Sequence, residues 1–222
     1  GYIFSAGLGG MTAGCFLLAP FGDQIGRRKV FLISLLLISS GMVLANFSNT
    51  YALLLVCRVL TGLGIGGILP NLATVASEFS TDQTRDFNVG IVQGGWPLGA
   101  ILTGFYSAWV VPLYGWRFAY LSAGLFSFLM LIAVFFVLPE SPAYLNRDLA
   151  VKKKSSWRDL FVLEFRQSTI YLWLATFFGF ITLYTVLSWV PILAKQTGMP
   201  FELATYIGTA MNLGAFSGVF VM

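Results

Sequence analysis

The sequence predicts an all-α membrane protein, a partial bundle of about seven spanning helices. Two observations carry that prediction. The 222 residues are 57% hydrophobic and 10% charged, with a mean hydropathy of +0.81, whereas soluble domains carry about 25% charged residues. The apolar runs also have the length of about 20 residues that crosses a bilayer. They are too many and too long to be a signal peptide.

In chain order the spans read as 2–20, 30–48, 52–77, 88–110, 117–138, 169–194 and 203–222. Residues 1–138 form a five-helix block and 169–222 begin a second block. Between them, 139–168 is polar and basic and reads as a linker. It opens with LPESPAYLNRD, and its WRDLFVLEF end has the pattern of a short amphipathic helix lying on a membrane surface. Cys15 and Cys57 sit inside apolar runs, without a CxxC, and read as small buried hydrophobes. The chain has no histidine, which removes the commonest metal ligand and leaves proton chemistry to carboxylates. No cofactor is expected, nothing points to nucleic acid, and a membrane-embedded enzyme is disfavoured by the lack of clustered intramembrane carboxylates.

The bases are distributed unevenly. If the 21–29 loop is cytoplasmic, alternation puts Arg27, Arg28, Lys29, Arg85, Arg147, Lys152, Lys153, Lys154, Arg158 and Arg166 on that side, ten of the 13 bases. Only Arg117 and Lys195 fall opposite, and Arg58 lies within a span. This bias predicts the orientation and accounts for the +4 net charge. The bland reading of FGDQIGRRKV, residues 21–30, is therefore a topology signal. The order Asp23, Gly26, Arg27, Arg28 argues for more. A glycine three residues after the acid permits a tight turn, and the arginines can then pair with acids elsewhere.

PFGDQIGRRK is similar to the loop between the second and third helices of the major facilitator superfamily. In that family the loop clasps the two halves of the transporter. The family usually has glycine where this chain has Ala19, and Gly22 stands where alanine is frequent, which bears on local helix packing. A second match is RVLTGLGIGGILPN, residues 58–71, which resembles the family's fourth-helix motif. Its physics can be read directly: Gly62 and Gly66 stack on one helix face and let a neighbouring backbone approach. Gly64 and Gly67 broaden the stripe, and Pro70 removes one helical donor. Plain packing is the favoured reading for these glycines.

Arg58 is different. It lies about two turns inside its span, where a charge costs about 2.5–3.5 kcal/mol on insertion scales. Snorkelling to the outer surface would satisfy it, but intramembrane ionisable groups are functional by default. It could hold a substrate carboxylate or pair with a proton-exchanging acid. Glu78 ends the same helix and shares a face with Asn71, seven residues earlier. Arg58 lies well round the other side, so one Arg58–Glu78 site is not expected. An ion pair between Glu78 and Arg27 ranks above proton carriage.

GIVQGGWPLGAILTG, residues 90–104, pairs Gly90 with Gly94 and Gly95 with Gly99, and reads as another close-packing helix. Gln93 and Trp96 would prefer partners within lipid and suit a cavity wall. Trp109, Tyr114 and Trp116 read as interface anchors. Span 169–194 is aromatic. Tyr184 and Trp189 fit a packing or belt helix, and also a flat aromatic ligand through ring stacking.

LPESPAYL is similar to the end of the sixth helix in several facilitator families, including sugar and organic-acid carriers. With LYTVLSWVPILAKQTG, residues 183–198, the whole most resembles the aromatic acid–proton symporter family. That resemblance implies twelve helices in two six-helix halves, of which this chain matches the second to the eighth. It implies a carrier in the bacterial inner membrane for a small organic anion and a proton. Asp23, Gly26, Arg27 and Arg28 would belong to the gating loop. Arg58, Asn71, Glu78, Gln93, Trp96, Tyr184 and Trp189 would be candidates for substrate binding or coupling. The family's acidic first-helix motif would lie outside the chain, which alone should not transport. A sugar or aliphatic-acid carrier and a non-transporting membrane sensor are the alternatives.

Overall fold

The computed structural model describes residues 1–145 and 166–219, in which eight helices succeed one another. They are α1 (Tyr2–Leu17), α2 (Phe21–Ile25), α3 (Arg27–Asn46), α4 (Tyr51–Glu78), α5 (Arg85–Val137), α6 (Pro142–Leu145), α7 (Arg166–Gln196) and α8 (Phe201–Val219). The surface helix expected in WRDLFVLEF lies outside the described residues. Four of the helices, α3, α4, α5 and α7, are long and apolar enough to cross a membrane, and α1 is a shorter apolar helix.

α5 runs for 53 residues, far more than the ~20 one crossing needs. Gly115 divides it. Its φ of 80° and ψ of 167° are not helical, and positive φ is open to glycine at little cost. The two arms correspond to the expected spans 88–110 and 117–138. The seven expected spans therefore fall on α1, α3, α4, the two arms of α5, α7 and α8. One connector is corrected. Residues 21–29 are not a plain loop, because the short α2 occupies Phe21–Ile25 and α3 starts at Arg27. The break between them is Gly26 alone, at φ 102°.

The first block is organised around α4, which packs against both α1 and α3. Thr50 caps its start by accepting a hydrogen bond from the Leu53 amide at 3.3 Å. The glycine motif serves two neighbours. A Cβ on Gly62 or Gly66 would collide with the α1 carbonyls of Gly7 and Met11, and one on Gly64 or Gly67 with Ser34 of α3. α1 answers with Gly10 and Gly14, whose faces press on the carbonyls of Val59 and Leu63. The second expected glycine helix behaves otherwise. A Cβ on Gly90, Gly95 or Gly99 would meet nothing within 4 Å. Small residues four apart permit close approach, but a partner backbone must be there to use it. Leucine at Gly66 should therefore strip the protein of its monodisperse folded fraction in detergent size-exclusion chromatography. Overpacking costs about 1–3 kcal/mol and more against rigid backbone. Alanine at Gly99 should leave the profile unchanged.

α5 links the first block to the second through α8. Gly104 admits the Thr209 side chain there, and the Phe105 and Tyr206 rings lie 5.7 Å apart. α7 packs on α8 and reaches α1 through Tyr184 and Phe4, at 6.5 Å between ring centroids.

Candidate functional site

Two sites draw on the residues that sequence reasoning selected. The first is a polar cluster where α2, α3, α4 and α6 meet. Arg27 is its centre. Its Nε donates to both Glu78 carboxylate oxygens at 2.9 Å, and its Nη2 lies 2.8 Å from Oε1. Nη1 donates to Asn71 Oδ1 at 3.0 Å, and Nη2 also reaches Asp23 Oδ1 at 2.9 Å. The Arg27 and Glu78 side chains are only 15% and 14% exposed, whereas Asp23 is 75% exposed. The Arg27–Glu78 contact is thus a largely desolvated fork, and the Asp23 contact a wet one. Asn71, buried, donates through Nδ2 to the Gly67 carbonyl at 2.9 Å.

The segment after α5 closes this cluster. Ser141 Oγ donates to Glu78 Oε2, completing that carboxylate's partners. Glu140 Oε1 accepts from the Arg28 amide at 3.2 Å and from the Ser141 amide at 3.1 Å. The Arg28 guanidinium donates to the Phe135 carbonyl and lies 5.5 Å from the centre of the Phe135 ring. That carbonyl is one of the last four of α5, which lack a helical donor. Both motif glycines border acceptor oxygens. A Cβ on Gly26 would strike the Glu140 carboxylate, and one on Gly22 the Asn71 amide oxygen. Gly22 in place of the frequent alanine is what lets Asn71 sit beneath the short helix.

The second site is a pocket of about 660 Å³ between α1, α4, the first arm of α5, and α7. Gln93, Trp96 and Tyr184 all line it. α1 adds Thr12 and Cys15, and none of the lining side chains among the described residues carries a charge. Arg58 stands outside it, in a separate cavity of about 140 Å³ between α1 and α4. Leu8 and Met11 line both spaces, so they form the partition. The Arg58 guanidinium lies 4.6 Å from the centre of the Tyr120 ring, its Nε is buried without a hydrogen bond, and no carboxylate among the described residues is in ion-pair reach.

The structure thus separates residues that the sequence grouped as substrate or coupling candidates. Gln93, Trp96 and Tyr184 share the pocket, with Arg58 behind its wall. Asn71 and Glu78 belong to the Arg27 cluster. Trp189 is 58% exposed and lines neither space. Sequence reasoning missed Glu140, Ser141, Thr12 and Cys15. The first two stand in the LPESPAYL segment, whose polar residues had no assigned partners. Thr12 and Cys15 carried no signal beyond being small residues in an apolar run.

Comparison with known proteins gives this arrangement a family. The family model for the Major Facilitator Superfamily matches residues 1–222. The chain belongs to the Major Facilitator Superfamily. Among relatives of this superfamily chain, a 4-hydroxybenzoate transporter of Acinetobacter baylyi is 28% identical, over 100% of the chain and 56% of the relative. A gallate transporter of Pseudomonas putida is 29% identical, with the same coverage. The superfamily chain spans about half the length of the curated relatives it matches. A D-xylose–proton symporter structure superposes with a TM-score of 0.75 at 17% identity, covering 97% of this chain and 56% of the symporter. That likeness speaks to fold.

Proposed function

We propose that the whole protein to which this chain contributes moves a small aromatic or related organic acid across a membrane together with a proton, by rocking two helical halves about a central site. The observation that carries this reading is the uncharged aromatic pocket, walled by Trp96 and Tyr184 and backed by the Arg58 cavity. A flat ring gains from stacking on such walls. A carboxylate gains from a guanidinium that has no acidic partner among the described residues. The relatives named for 4-hydroxybenzoate and gallate transport support the substrate class. The loop carrying Asp23, Gly26, Arg27 and Arg28 would make and break contacts as the halves move. Arg27 and Glu78 would keep it folded within the first half, leaving the exposed Asp23 to reach other partners.

The test is uptake of labelled 4-hydroxybenzoate by cells expressing the whole protein, with and without a proton uncoupler. Concentrative uptake that collapses on uncoupling is the expected result. No uptake, with the protein present in the membrane, would return the substrate question to sugars and aliphatic acids. Uptake that persists unchanged after uncoupling would remove the proton from the mechanism.

A further inference from the structure

Among the polar groups of the aromatic pocket, Thr12 has a fixed polarity. Its hydroxyl donates to the Leu8 carbonyl at 3.0 Å, one turn earlier in α1. The proton is therefore committed, and the oxygen is left as an acceptor. Gln93 lines the same pocket. Its amide supplies two donors and an acceptor, and no side-chain hydrogen bond holds it among the described residues. An acceptor and a donor facing one uncharged space are poorly matched to a carboxylate, which only accepts and would crowd the Thr12 lone pairs. They match a hydroxyl, which donates once and accepts.

We propose that Thr12 and Gln93 form a hydroxyl-reading end of the pocket, which selects aromatic acids with a ring hydroxyl over the same acids without one. The phenolic O–H would donate to Thr12 Oγ1, and its oxygen would accept from the Gln93 amide. The carboxylate would point away from this end. This rests on the reading that the pocket takes aromatic acids. A site built to bond a substrate hydroxyl discriminates against the analogue lacking it, because its own polar groups are then left unpaired.

Cys15 provides a readout independent of transport. It lines the same pocket, whereas Cys57 is 2% exposed. Membranes containing the protein are treated with N-ethylmaleimide, and alkylation of Cys15 is scored against Cys15→Ala. Half-protecting concentrations of 4-hydroxybenzoate and benzoate are then compared. The hydroxylated acid should protect at a concentration about fivefold lower, the factor that one hydrogen bond of about 1 kcal/mol yields. Thr12→Val, which keeps the shape and removes the acceptor, should bring the two acids level. Thr12→Ser should retain the preference, and Gln93→Leu should reduce it. Equal protection by the two acids in the wild-type protein would overturn the proposal and leave the pocket as an aromatic-acid site. An unchanged preference in Thr12→Val would also overturn it. Protection by neither acid would overturn the substrate reading and this proposal with it.

Discussion

Alanine at Arg58 is expected to cut uptake by at least about 30-fold, while the whole protein persists in the membrane. The expectation rests on where the cation stands. Arg58 faces a small cavity behind the Leu8–Met11 partition of the aromatic pocket, and none of the pocket's own lining residues carries a charge. Removing one member of a desolvated charge pair costs about 2–5 kcal/mol in binding, and the lower end of that range, at about 1.4 kcal/mol per tenfold, is the source of the ~30-fold estimate. The Tyr120 ring offers the guanidinium only partial compensation, since cation–π contacts contribute about 0.5–2 kcal/mol. Arg58 is half-buried, with its Nε out of solvent and without a hydrogen bond, so a transient anion has something to gain there. Arg58→Lys separates the two roles. It keeps a point charge and loses the planar stack, so partial uptake in lysine and none in alanine would assign the role to charge. Normal uptake by Arg58→Ala, measured per copy in the membrane, would rule the assignment out.

Helical periodicity explains how far such residues could be read without coordinates. Asn71 and Glu78 stand seven residues apart, close to two turns, and that spacing put them on one face. Asn71 and Glu78 are candidates together for binding or coupling, and the structure keeps them together but seats both on Arg27, away from the pocket. Trp189 shows the same rule from the other side. Five residues beyond Tyr184 is well round the helix, and Trp189 does not share the pocket. The glycines of α4 were legible as a seam, but not the partners on each side of it. With the identical spacing in residues 90–99, Gly90, Gly95 and Gly99 meet open space, because four-residue periodicity describes one helix and not its neighbour. Thr12 was illegible for a different reason. A hydroxyl in an apolar run satisfies itself on the preceding turn, and only the surrounding helices reveal that the residue lines a cavity.

Alanine at Arg27 is the second large effect expected, and it should appear in stability before it appears in transport. The guanidinium satisfies both oxygens of Glu78, the Asn71 carbonyl and Asp23. Truncation leaves Glu78, 14% exposed, with Ser141 as its remaining side-chain partner. Breaking a buried pair on one side costs about 3–5 kcal/mol, much of it the penalty of the stranded charge. The melting temperature in detergent should therefore fall by several degrees. The predicted order of variants follows from the same geometry. Asp23→Asn removes only a wet contact, worth about 0–1 kcal/mol, and should melt close to wild type. Glu78→Gln removes the charge but keeps a group that Ser141 can donate to, so it should fall between Asp23→Asn and Arg27→Ala. Pairing Arg27→Ala with Glu78→Gln should recover part of the loss, because no unpaired carboxylate is then left between α3 and α4. A double variant that melts as low as the two single losses added together would show that the pair is not coupled, and would relocate the closure of this cluster to Glu140 and the Arg28 amide.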